Sequence, residues 1–282
     1  MQESDLKKAS NLYTGSSFEN ILWEYNGVMI PFDPAWANIG VSVSGGADSA
    51  LLGYMLCSII TQENLTTDVH ITTNIRCWKT RPWQETSSID VYNYLQTKFP
   101  NINFHRHVNF IPPEMEEPHT TYITDEYGKQ KPGNRIILRA HAEYIGHKYK
   151  LNAWYNAVTK NPSNVSLENR VEDRDLEADN LDIMIKEYQG SHAVHPFRYI
   201  EKDWVVAQYH NLGITGLFNI TRSCEGEFDN LNYQNYEPGQ DVPICEKCFW
   251  CQERAWAIDS LNTFKKVSKT HFKRHTATEI TQ

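Results

Sequence analysis

Residues 39–52, IGVSVSGGADSALL, constrain this chain more than any other stretch. An apolar run at 39–44 reads as a buried strand, and 48–60 reads as a helix. Gly45 and Gly46 separate them. Glycine permits a tight turn and lets backbone N–H groups come close to an anion. The free amides and dipole of the following helix face that turn. Ser44 and Ser49 add hydroxyl donors. The stretch has no lysine, so it is not a Walker loop. Asp48 repels phosphate unless it holds Mg²⁺ or caps the helix. An ordinary Gly-Gly strand-to-helix turn has the same residues, so these positions alone leave both readings open.

The same alternation continues along the chain. Strands are expected at 68–75, 103–110 and 153–158, with helices at 86–98 and 134–150. The pattern predicts an α/β fold, a parallel sheet with helices on both faces. Asn26-Gly27 suits the turn of an edge hairpin. Residues 111–133 and 159–175 read as loops, 176–188 as a helix, and 203–213 as a helix ended by Gly213. A last helix is expected from Trp250 to Asn262, and the tail from Phe264 reads as a solvated end. This divides the chain into an extension (1–36), a nucleotide-binding α/β domain (37–200), a helical, metal-binding region (201–263) and a polar tail (264–282).

Cysteine is concentrated late. Cys57 and Cys77 stand alone, whereas Cys245-x-x-Cys248-x-x-Cys251 follows Cys224 at a distance. In a reducing compartment such a group reads as a metal site rather than as disulfides. Four thiolates suit a structural Zn²⁺ that pins the end of the chain to the sheet. An iron–sulfur cluster uses the same ligands and remains the alternative. The compartment itself is read from absences. There is no apolar run of the roughly 18 residues a membrane span needs, and the N-terminus lacks the apolar centre of a signal peptide. The expectation is a soluble cytoplasmic protein. The formal charge of −8 gives no bulk attraction to nucleic acid, so nucleic acid is not expected as a partner, although a local basic patch remains open.

Ser44, Gly45, Gly46, Asp48 and Ser49 match in full the signature of the ATP-pyrophosphatase (PP-loop) superfamily, which this chain resembles. The resemblance implies that ATP binds with Mg²⁺, that its diphosphate lies in this turn, and that adenine lies near Thr72 to Arg76. It also implies that a substrate oxygen is adenylated. Within the superfamily, the order of further motifs resembles 7-cyano-7-deazaguanine synthase. Pro132, Gly133, Asn134 and Arg135 open a long helix. Pro196 precedes Lys202 at the start of another. Thr221-Arg222-Ser223-Cys224 and the three closing cysteines, then Arg254, complete the set. The likeness covers about residues 39–258.

That family makes a nitrile from 7-carboxy-7-deazaguanine and ammonia through adenylated intermediates. The resemblance implies catalytic roles for Asp48, Ser49 and Lys202, and nucleotide contacts from Ser44, Gly45, Gly46 and Arg135. It also implies zinc on Cys224, Cys245, Cys248 and Cys251, and a possible homodimer. The chain departs from the family at 153–175. The family's Tyr-Pro-Asp-Cys-Arg run is missing there, and only Asn156 stands in for an early polar residue. Two other readings are carried forward. One is a PP-loop enzyme with another acceptor: a different deazaguanine, a protein terminus, or an RNA base that is thiolated. The other is a nucleotide-binding adaptor without turnover.

Arg135 and Arg139 share a helical face and suit either a nucleotide or solvent. His105 and His107 are expected to face out of the sheet rather than bind metal. His192 and His195 have no evident third ligand. Trp250 reads as packing, and Glu172, Asp173 and Asp175 as a solvated loop.

Overall fold

The protein is described from a computed structural model, over residues 21–76, 81, 83–111, 122–124, 130–163, 165–167, 185–188, 191–225, 244–263 and 272–275. Three parts of the sequence reading lie outside these residues: Cys77, the acidic group at 172–175, and the first part of the 176–188 helix.

The core is a six-stranded sheet. Its strands are β3 (Asn38–Ser42), β4 (Asp68–Ile75), β5 (Phe104–Phe110), β8 (Ala153–Tyr155), β9 (Ile185–Tyr188) and β10 (Ser191–Val194), in the order β5-β4-β3-β8-β10-β9. Five strands run parallel, and β9 closes one edge antiparallel to β10. The order reverses direction between β3 and β8, and the glycine turn leaves the carboxyl end of β3. That is where open α/β sheets take their ligands.

Helices α1 (Ala47–Gln62), α2 (Gln84–Lys98) and α3 (Gly133–Tyr149) connect the strands. Val69 and Ile71 of β4 join one apolar cluster with Leu51, Leu52 and Met55 of α1 and Val91 and Leu95 of α2. The alternate β4 residues face α3 on the other side. The His70 ring lies 4.7 Å from that of Tyr149, and His141 Nδ1 is 3.1 Å from Asn74 Oδ1. The expected two-sided layering therefore holds. To the expected parallel sheet β9 adds one antiparallel edge strand.

Three further differences follow from pairing that local pattern does not reveal. Residues 185–188 form a strand, not the end of a helix, because β10 offers a free edge. Four residues of mixed polarity are too few to separate period 2 from period 3.6. The loop at 111–133 contains a small antiparallel pair, β6 (Tyr122–Thr124) with β7 (Gln130–Pro132). The tail is not wholly a solvated end. Phe272 is buried, and β11 (Lys273–His275) pairs antiparallel with Leu22–Glu24.

Strands β1 (Leu22–Tyr25) and β2 (Val28–Pro31) form the expected hairpin. Asn26 and Gly27 both have positive φ, 47° and 82°, as this turn demands. The hairpin docks on α4 (Lys202–Asn211). Asn26 Nδ2 donates to Gln208 Oε1 at 3.0 Å, and Trp23 Nε1 donates to the Phe32 carbonyl at 2.9 Å. Trp23, Phe32, Trp204 and Tyr209 are buried together. Each contributes about 1.5–3 kcal/mol or more by leaving water. Helix α4 is buried over Lys202–Tyr209, which places a lysine in the core.

Helices α5 (Thr215–Asn219) and α6 (Phe249–Asp259) follow, and α6 continues as a 3₁₀ turn over Ser260–Thr263. Among the described residues, no helix is long and apolar enough to cross a membrane.

Candidate active site

The turn from β3 into α1 is built by its own hydroxyls. Ser49 Oγ accepts from the Ser44 N–H at 3.1 Å and donates to the Gly46 carbonyl at 3.1 Å. It also lies 3.2 Å from Ser44 Oγ. The Gly46 N–H donates to Ser44 Oγ at 3.3 Å. Gly46 is the N-cap of α1 and brings no side-chain cap, so the first amides of the helix keep their donors available to an anion.

Gly45 has φ +80°, and a Cβ there would stand 2.9 Å from both Ser87 Cβ and Ser88 N of α2. A Gly45→Ala substitution is therefore expected to strain the turn and push it off α2. It should lower stability by about 1–3 kcal/mol, read by urea unfolding. Unchanged stability would show that the turn is free to move off α2.

Asp48 and Lys202 are brought together here from positions 154 residues apart. The Lys202 Nζ donates to Asp48 Oδ2. It also lies 3.8 Å from Glu253 Oε2 on α6. Lys202 is 2% exposed and Glu253 fully buried, so one cation stands between two carboxylates. Asp48 Oδ1 is buried without a hydrogen-bond partner among the described residues. Such an oxygen suits a hard cation such as Mg²⁺, which takes carboxylate ligands. Tyr209 donates its hydroxyl to the Ala47 carbonyl at 2.5 Å and braces the first turn of α1 from below. Burial, then the Asp48 charge, pushes the Tyr209 phenol up, so it remains a donor.

The Gly45 carbonyl accepts from the Arg222 N–H at 2.9 Å. Gly46 lies against the Arg222 carbonyl, which a Cβ there would meet at 3.3 Å. The Thr221–Cys224 segment therefore lies along the glycine turn. Arg254 holds this segment. It donates from Nη1 to Thr221 Oγ1 and from Nη2 to the Phe218 carbonyl, both at 3.0 Å, and covers the Phe218 ring at 3.9 Å. Burial lowers its pKa to about 10, so it remains a cation. Trp83, just before α2, donates from Nε1 to the Cys224 carbonyl at 2.7 Å, and Arg81 pairs with Glu225.

Cys224, Cys245, Cys248 and Cys251 place their sulfurs within 4.8 Å of one another. Backbone amides already point at three of them: Cys245 N to Cys224 Sγ at 3.3 Å, Cys248 N to Cys245 Sγ at 3.3 Å, and Glu225 N to Cys248 Sγ at 3.4 Å. These amides favour thiolate. Hydrogen bonds from Cys224 and then Cys251 draw Cys248 far below the ordinary thiol range. The group is a metal-binding cluster by its chemistry. For a tetrahedral ion with sulfurs about 2.3 Å away, sulfur–sulfur distances fall near about 3.8 Å, so the set fits a single four-coordinate ion. Cys57 stands apart, buried in α1.

Arg135 and Arg139 lie on α3, but their side chains are outside the described set. His195 is half-buried, and desolvation followed by the Arg198 charge lowers its pKa to about 4. Thr72 and Thr73, on the expected adenine side, spend their hydroxyls on the Val41 and Val43 carbonyls. Trp250 packs edge-on against Phe249, as expected. Glu253, Tyr209 and Trp83 were missed by sequence reading. The only signal for Glu253 was its place between Cys251 and Arg254 on one helix.

His105 and His107 do not simply face outward from the sheet, as sequence suggested. They are half-buried and join His70. His70 Nδ1 is 2.9 Å from His107 Nε2, and His70 and His105 stack with centroids 4.4 Å apart. Burial, then neighbouring His105, lowers both His70 and His107 to about 4.

No family model matches the chain, and no curated protein matches it. Among solved structures, the chain is similar to the U34-tRNA thiolase NcsA from Methanococcus maripaludis with its [4Fe-4S] cluster. That likeness has a TM-score of 0.41 and 12% identity, over 92% of this chain and 71% of that one. Agreement at that level leaves the chemistry of this chain to its own residues. The expectation that nucleic acid is not a partner is withdrawn, since that similar structure is of a tRNA thiolase. A net charge averaged over the chain does not describe any one surface.

Proposed function

We propose that this chain is an ATP-dependent adenylating enzyme of the PP-loop type. The observation that carries this reading is the convergence of Asp48 and Lys202 on the uncapped start of α1, where the Ser44–Ser49 turn presents its amides. In this reading the diphosphate of ATP lies against those amides and Ser49, with Lys202 beside it. An acceptor oxygen attacks the α phosphorus. One oxygen–phosphorus bond forms, the bond to the bridging oxygen of the β phosphate breaks, and diphosphate leaves with that electron pair. Fixed donors stabilise the charge that gathers on it. Mg²⁺, held by Asp48, would neutralise further phosphate charge. The metal on the four cysteines is Zn²⁺ in this reading, with a structural role.

The deazaguanine reading is a finer proposal. Its support is the order of motifs and the way Arg254 binds Thr221 beside the turn. In that reading a carboxylate is adenylated, ammonia displaces AMP to give an amide, and a second adenylation leads to the nitrile. Transfer of the same AMP to a base oxygen in RNA uses the identical first step.

The test incubates the protein with ATP, Mg²⁺ and one acceptor at a time: 7-carboxy-7-deazaguanine with ammonium, or unmodified transfer RNA with sulfide. AMP and diphosphate, and the mass of the acceptor, are followed. Acceptor-dependent diphosphate release is expected. A nitrile product assigns the first acceptor and a thiolated base the second. ATP binding without turnover with any acceptor would leave an adaptor and overturn the enzyme reading.

A further inference from the structure

The amino-end half of the sheet carries a second group of ligand-type side chains, unrelated to the glycine turn. Asp68 and His70 lie two apart on β4, so they share one face. His105 stands directly opposite His70 in the parallel register with β5. One ligand atom from each of Asp68, His70 and His105 lies within 4.8 Å of the others. His70 is in register with Gly40 of β3, four residues before Ser44, which puts it about 13 Å down the strand from the turn.

The arrangement is a ligand set with its supports in place. Asp68 Oδ2 is 2.9 Å from His105 Nε2. That oxygen also accepts from Asn103 Nδ2 at 2.9 Å, which fixes the carboxylate. His70 has a partner at each ring nitrogen: Asn38 Oδ1 at 3.2 Å from Nε2, and His107 Nε2 at 2.9 Å from Nδ1. Whichever nitrogen turns to an ion, the other keeps a hydrogen bond, as metal-bound histidines require. Tyr149 covers the rings, 4.7 Å from His70 and 4.8 Å from His107. Asp68 and His105 are about one-third exposed, 32% and 35%, which leaves an entry path. A purely apolar or structural face has no need of three imidazoles and a carboxylate on neighbouring strands.

We propose that Asp68, His70 and His105 form a binding site for a divalent transition metal of the zinc class, with Asn38 and His107 orienting His70. Two imidazoles and one carboxylate suit Zn²⁺, Co²⁺ or Ni²⁺ better than Mg²⁺ or Ca²⁺. Three protein ligands leave the fourth position to solvent, so this site is open where the cysteine site is closed. The ion would take the place of the hydrogen bond between His105 Nε2 and Asp68 Oδ2.

Metal content decides it without recourse to activity. Metal-stripped full-length protein is titrated with Co²⁺ under reducing conditions. Sulfur-to-cobalt charge-transfer absorption reports the cysteines. Weaker visible bands lacking sulfur character report the histidines. Wild type is expected to take up two equivalents, and His105→Gln only one, with its sulfur band unchanged. That band also shows that the variant has folded. Asn38→Ala is expected to keep both equivalents but weaken the sulfur-free one about 10–100-fold. Equal uptake by wild type and His105→Gln, or a wild type that takes only sulfur-bound cobalt, overturns the site.

Discussion

Replacing Lys202 with methionine is expected to lower diphosphate release by about 10²–10³-fold in kcat, the usual consequence of removing a donor from a developing negative charge. Stability is expected to fall with it. Lys202 is the only cation that the structure pairs with Asp48 among the described residues, and it also approaches Glu253. Methionine fills much of the same space but takes away the cation that stands between the partly exposed Asp48 and the fully buried Glu253. Breaking such a buried pair costs about 3–5 kcal/mol.

Glu253→Gln separates the two effects. It keeps the Lys202–Asp48 pair and removes the charge that is fully buried, so it is expected to cost little stability. The double variant should recover much of the stability lost by Lys202→Met and none of the activity. Urea unfolding and diphosphate release, measured on all three, give the comparison. Wild-type turnover in Lys202→Met would remove the lysine from the reaction and leave it as a core ion pair.

The second large effect is expected at the cysteines. Cys248→Ser should lose the bound metal and lower the melting temperature by about 10 °C or more, since a structural thiolate site contributes folding energy directly and about 3 kcal/mol corresponds to roughly that shift in a domain of this size. In the proposed reading ATP binding should weaken as well, although none of the four clustered cysteines is part of the glycine turn. The path runs through Cys224. Trp83 donates to the Cys224 carbonyl, and the Arg222 N–H, two residues earlier, donates to the Gly45 carbonyl. A metal that orders Cys224 orders the turn. Cys57→Ala serves as the control, because Cys57 lies in α1 among apolar neighbours and its loss should leave metal content unchanged. Metal analysis, thermal unfolding and ATP calorimetry check all of this. Full ATP affinity in metal-free Cys248→Ser would uncouple the two sites.

Much of the site was legible in residue order. The strand, the two glycines, Asp48 and Ser49 occupy one local unit whose conformation follows from their own chemistry: Gly45 must have positive φ, and α1 must begin where the glycines end. The cysteine spacing was legible for the same reason, since Cys245, Cys248 and Cys251 meet within two short turns. Helices α2, α3, α4 and α6 and strands β3, β4 and β5 announced themselves by period. Glu253 did not, because a buried acid on a helix looks like a solvated one until its lysine is placed. The histidines did not either: His105 and His107 alternate as any half-exposed strand does, and only the β4–β5 register sets them against His70.

Residue order thus sets the local units: a strand running into a glycine turn, a cysteine set with metal spacing, and helices and strands of recognisable period. The tertiary structure alone decided which distant units meet. It set Lys202 between Asp48 and Glu253, laid Thr221–Cys224 along the turn, returned Lys273–His275 to β1 and made residues 185–188 an edge strand. The physical reason is range. Turn geometry and period depend on neighbours a few residues away, whereas the partners of a buried charge or a free strand edge depend on sheet order and register, which no short window contains.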